Sequence, residues 1–183
     1  MRPRPFDPRH LDVEAFAKEG AELAGEWPLP VLDRLADAAH ADAKPAAGDV
    51  ARWRARGESL PVRGAAPQTW LHLAADTRLS LICQRCLGPL DTPVEAQRSF
   101  LFVADEDMAA QLDADSEDDV LALTRSLDLR ALVEDELLLA LPLVPRHEAC
   151  PEPLPRDRDE AMAEPPANPF AALSVLKRGG PAS

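Results

Sequence analysis

The sequence predicts an α+β domain over residues 6 to 150, in which a mainly antiparallel β-sheet, open or partly closed, is packed by one long helix toward its C-terminal end. Two patterns carry this expectation. The odd positions from Thr69 to Cys83 read Thr, Leu, Leu, Ala, Thr, Leu, Leu, Cys and never lose their period of two, as one long strand with a buried face requires. From Asp128 to Leu141 the period changes: Leu129, Leu132, Val133, Leu137 and Leu141 form a helical stripe, with Asp128 as its cap and Pro142 beyond its end.

The other elements follow in order. Asp7-Pro8 pairs a capping residue with a proline suited to a first helical turn, so a short helix is expected through about Lys18, ended by Gly20. Ala21 to Trp27 reads as a strand broken by Pro28 and Pro30, Val31 to Ala39 as a short helix, and Ala41 to Asp49 as a loop. Val50 to Arg56 alternates, placing Ala51, Trp53 and Ala55 on one face and Arg52, Arg54 and Arg56 on the other. Ser59 to Gln68, with two prolines and a glycine, is a loop or broad turn.

Pro93 to Val103 resumes alternation, with Val94, Ala96, Phe100 and Phe102 on one face and Arg98 interrupting it, and is expected to pair antiparallel with the strand before the cysteines. Asp105 to Asp119 holds eight carboxylates and no base, the composition of a solvated acidic loop, and Val120 to Leu123 can add a short strand. On the 128–141 helix, Arg130 and Glu134 fall at i and i+4 on the expected wet face. Residues 151–167, with five prolines, read as an acidic linker. Asn168-Pro169 then opens a short docking helix over 168–178, with Phe170, Leu173 and Leu176 along one apolar edge.

Composition narrows the function classes. The 183 residues suffice for one core, and only 4% are aromatic while 19 are proline. A net charge of −12 argues against holding nucleic acid by bulk charge and favours a basic protein partner, although a local basic patch can still touch RNA. Three cysteines make no complete disulfide framework and no secretory leader is recognisable, so a cytoplasmic protein with reduced thiols is expected. No apolar run approaches the roughly 18 residues of a membrane helix.

Cys83-Gln-Arg-Cys86 places two sulfurs on one tight turn, and His147 and Cys150 would complete a Cys₃His set of the kind that closes a structural zinc site. The 63 residues between Cys86 and Cys150 are a long separation for a finger, so buried structural thiols and a redox dithiol stand beside the metal reading. Leu87-Gly88-Pro89 suits a knuckle better than the helix N-terminus of a thioredoxin-type dithiol. Arg52, Arg54, Arg56 and Arg85 are the candidate RNA contacts. Trp53 lies on the face opposite the stripe and gives it no stacking platform, so a solvated strand face is the plainer account. His10, His40 and His72 show no partner pattern. No nucleophile–base array, phosphate loop or dinucleotide turn is present, and Glu134, Asp135 and Glu136 point in different directions on a helix, so a non-enzymatic protein is expected.

Three blocks in order resemble the large ribosomal RNA subunit accumulation protein (YceD) family: Cys83-Gln-Arg-Cys-Leu87, Leu132-Val-Glu-Asp-Glu-Leu137 with Leu141-Pro-Leu-Val-Pro-Arg-His147, and Asn168-Pro-Phe-Ala171 with Leu176-Lys177. The resemblance implies a bacterial, cytoplasmic, non-enzymatic ribosome biogenesis factor needed for synthesis, processing or stable accumulation of large-subunit (23S) ribosomal RNA. Its implied partner is the large-subunit precursor, through rRNA, a basic ribosomal protein, or both. The alternatives are a zinc-binding or dithiol enzyme that modifies or processes RNA, and a dedicated partner of one basic ribosomal protein.

Overall fold

The computed structural model describes residues 6–113, 116 and 118–151. The linker and the docking segment with Phe170, Leu173 and Leu176 lie outside them. Among the described residues no helix is long and apolar enough to cross a membrane.

The first helix starts later than the Asp7-Pro8 signal predicts. Asp7 instead makes a turn, accepting from Arg9 N at 2.8 Å, and Leu11 and Leu127 exchange backbone hydrogen bonds of 2.9 Å in both directions. That pairing holds the chain extended, so α1 occupies Val13–Lys18, with Asp12 Oδ1 accepting from Ala15 N at 3.0 Å as its cap. β1 follows at Glu22–Pro28. A 3₁₀ turn over Leu29–Val31 then leads into α2, Asp33–Asp37, shorter than the expected helix because Pro30 shapes its entry and Lys44 Nζ closes its end on the carbonyls of Ala36 and Asp37.

The sheet is a meander: β2 Val50–Leu60, β3 Gln68–Ile82 and β4 Pro89–Val103 lie in order beside β1, each antiparallel to the last. β3 is the long strand that the unbroken alternation predicts, and its odd positions are buried from Thr69 to Cys83. The Asp105–Asp119 stretch departs from the loop reading. Its first half is α3, Glu106–Asp113, capped by Asp105 Oδ1 on Met108 N at 2.8 Å, because carboxylates near a helix N-terminus favour the helix dipole. With the crossover through α3, β5 at Asp119–Ala122 pairs parallel to β4, and the five-stranded sheet stays open.

α4, Leu129–Leu139, carries the Asp128 cap as read, accepting from Arg130 N at 3.0 Å and Ala131 N at 3.3 Å, but it is an ordinary three-turn helix. The helix layer is therefore shared: α1, α2 and α4 together cover one sheet face, and Phe16, Leu35, Val133 and Leu137 are fully buried with Leu71, Leu73, Leu79 and Val94. The expected Arg130–Glu134 pair on a wet face does not form. Glu134 is buried and turned to α2, where Oε1 accepts from Arg34 N at 2.8 Å and Leu35 N at 3.2 Å. Arg98, which interrupts the apolar face of β4, pairs there with Glu136 of α4 at 3.4 Å.

Candidate metal centre

β3 and β4 extend past the sheet as a hairpin whose turn is the cysteine stretch. Cys83 N donates to Gly88 O and Leu87 N to Cys83 O, both at 2.9 Å, with Leu87 in the left-handed region at φ 61°. The chain leaving α4 returns to this turn: Gln84 N donates to Pro145 O at 2.8 Å, which sets His147 and Cys150 beside Cys83 and Cys86. The long sequence separation is closed by the tertiary path of α4, and one ligand atom from each of Cys83, Cys86, His147 and Cys150 lies within 4.8 Å of the others.

These residues could hold a metal ion. A tetrahedron of sulfur ligands has edges of about 3.8 Å; Cys83 Sγ and Cys150 Sγ are 4.0 Å apart, and Cys86 Sγ is 3.5 Å from His147 Nδ1. All three cysteines are free, and 4.0 Å is far beyond a disulfide bond. Burial works against a charged Cys83, but backbone N–H groups of Cys86, His147 and Arg85 aimed at its sulfur outweigh burial and bring its thiol down to about 5. The His147 N to Cys83 Sγ contact is 3.5 Å. Cys150 moves the other way, raised first by burial and then by the neighbouring Cys86 and Cys83 sulfurs. Such a crowd of thiols suits a cation that removes their protons and screens their mutual repulsion.

His40, which shows no pattern in sequence, braces the turn. Its Nδ1 accepts from Asp42 N at 3.1 Å, which makes Nε2 the donor toward Leu87 O at 3.0 Å. His10 bonds Ser126 Oγ at 3.0 Å.

Arg52, Arg54 and Arg56 do share the sheet face turned away from the helices, while Trp53 is buried on the opposite face and stacked on Trp27. Arg85 is exposed on the cysteine turn and is not brought to the stripe: β3 runs eight residues from Ala74, the partner of Arg54, to Ile82, on the order of 25 Å. The register adds what the sequence reading missed. Trp70 and His72 of β3 stand on the arginine face, with His72 held by Ser99 Oγ and Glu58 Oε2, each at 2.9 Å. A Ser–His–Glu chain in that order has the connectivity of a nucleophile array, but His72 and Glu58 are about a third exposed, so the chain fixes a ring and excludes no water.

A family model described as large ribosomal RNA subunit accumulation protein YceD matches residues 71–177, a span that includes all four candidate ligands. The chain is also 39% identical over 106 residues to the protein of that name from Haemophilus influenzae, a match covering 55% of this chain and 60% of the relative. No solved structure matches.

Proposed function

The chain belongs to the large ribosomal RNA subunit accumulation protein YceD family, and from that membership we propose a non-enzymatic bacterial factor for the accumulation of 23S ribosomal RNA. It acts in the cytoplasm on the large-subunit precursor, through the RNA, a basic ribosomal protein or both. The observation that carries this reading is the match over residues 71–177, which begins on β3 and includes the whole cysteine–histidine cluster. We take that cluster to be a structural zinc site. Four protein donors leave no open position for substrate or water, which supports a closed scaffold metal over a catalytic one. Zinc bound there would tie the segment after α4 to the β3–β4 turn.

The experiment is the ratio of large-subunit to small-subunit ribosomal RNA in cells depleted of the protein, complemented by the native chain or by a C83S/C86S copy. The ratio falls on depletion and the native copy restores it. A ratio that does not change on depletion overturns the reading.

A further inference from the structure

The sheet face turned away from α1, α2 and α4 carries two adjoining open clefts, of about 920 Å³ and about 270 Å³, that share Arg54, Ala74 and Gln97. Strand register explains them. Ala24 and Ala74 stand opposite Arg54 on the two neighbouring strands, so neither a carboxylate nor a bulky side chain is directly across from its guanidinium. The other arginines of this face are matched: Arg52 lies 3.3 Å from Glu26 and 3.5 Å from Asp76, Arg56 lies 3.3 Å from Glu58, and Arg78 pairs with Asp91. Among the described residues, Arg54 is the arginine of this face that forms no ion pair. It is an exposed cation lining both clefts, and of the carboxylates that share the larger one, Glu26 and Asp76 are engaged by Arg52 while Glu95 lies opposite Asp76.

Along β3 from Ala74, the same face presents His72 and then Trp70, about 7 and 14 Å away. Their rings are parallel to within 1°, with centroids 6.3 Å apart. Neither ring is loose: Ser99 and Glu58 hold both nitrogens of His72, and Trp70 Nε1 donates to Gln68 Oε1 at 3.3 Å. A fixed pair of aromatic rings along the strand from a guanidinium that makes no ion pair matches the chemistry of a nucleotide chain, which alternates a planar base with a phosphate.

We propose that this face holds a short single-stranded RNA segment, with a phosphate on Arg54 and bases stacked on His72 and Trp70. The proposal rests on the reading of the protein as a ribosomal RNA factor and names the form of RNA it takes. A duplex keeps its base faces stacked inside and cannot offer them to the rings. An acidic peptide would satisfy Arg54 and leave the aromatic pair unused. The −12 net charge keeps the electrostatic share small, so one or two phosphate contacts predict a salt slope of about −0.7 to −1.4 for a single strand.

The test uses the full chain as purified and a labelled short single-stranded RNA of mixed sequence, followed by anisotropy at low salt beside the duplex of the same sequence. The single strand binds and the duplex binds far more weakly. Binding quenches the fluorescence of Trp70, and W70A abolishes the quench because Trp27 and Trp53 stack on each other on the opposite face. R54Q and W70A each weaken binding roughly tenfold or more, with an unchanged urea midpoint showing that the fold is intact. Equal affinity for the duplex, affinity indifferent to both substitutions, or capture of an acidic peptide instead of RNA overturns the proposal. In cells, an R54Q/W70A copy that restores the ribosomal RNA ratio overturns this face while leaving the biogenesis reading standing. A ratio unmoved by depletion removes the biogenesis reading, and the anisotropy series then decides the face alone.

Discussion

The backbone N–H of Arg34 donates to Glu134 Oε1 at 2.8 Å and the Arg34 guanidinium donates to Glu134 Oε2 at 3.0 Å, so a carboxylate from α4 closes the N-terminus of α2 and neutralises its second residue. α2 has no cap of its own, since Leu32 precedes it. Glu134 therefore does across the core what Ser or Asp does locally at other helices.

Glu134→Ala should cost about 2–3 kcal/mol, because two helix amides and a guanidinium lose a charged acceptor in a buried setting. Glu134→Gln keeps an oxygen for the amides and should cost about 1 kcal/mol. Urea unfolding of the two variants separates cap from charge, and equal losses would show that the amide contacts contribute nothing.

Gly57 is where α1 meets β2. A Cβ placed there would lie 2.7 Å from Phe16 Cδ1 and Phe16 O and 2.8 Å from Ala17 Cα, and two of those three contacts are backbone. Gly57→Ala should lose about 2–3 kcal/mol by forcing α1 off the sheet, read as a lowered thermal midpoint. Gly48→Ala, which meets nothing within 4 Å, is the control and should be near neutral.

Glu136 gives the pH signature. Burial lifts its carboxyl above the ordinary range against the pull of Arg98, with Asp119 and Asp135 adding to the rise. A group whose folded pKa exceeds its unfolded one binds more protons when folded, so its contribution is present below the unfolded value of about 4.5 and is lost as pH rises through the folded value. The stability of the native chain relative to Glu136→Gln should therefore be greatest in acid and decline as pH rises above 4.5. A difference that grows with pH would show that the Arg98 ion pair outweighs burial.

Metal content tests the cysteine cluster directly. The purified chain should carry a single zinc ion, lost in C83S and in H147A, and chelation should lower stability by about 3 kcal/mol, on the order of 10 °C. His40→Ala should keep the four donors and release zinc about tenfold faster, since it removes the donor that holds Leu87 O.

Much of the sheet was legible because its signals are local. A period of two survives through fifteen residues of β3 and its phase placed Cys83 inward, as the alternation of β2 placed Arg54 outward. The same phase rule also puts Trp70 and His72, at even positions of β3, on the face away from the core, but only the register of β3 on β2 brings them to the arginine stripe. α3 was hidden because its acidic first turn reads as a solvated loop when charge is counted without the dipole that accepts it.

The long strand, the Asp128-capped helix, the outward arginines and the four candidate metal ligands were readable in the sequence, since each depends on residue type and short-range periodicity. Only the tertiary packing turns Glu134 inward to cap α2, lays β5 parallel to β4, and brings His147 and Cys150 to the cysteine turn, with 63 residues between Cys86 and Cys150. All three have one cause. Each joins groups distant in sequence, and such a pairing follows from how helices and strands pack their apolar faces, which local propensity does not encode.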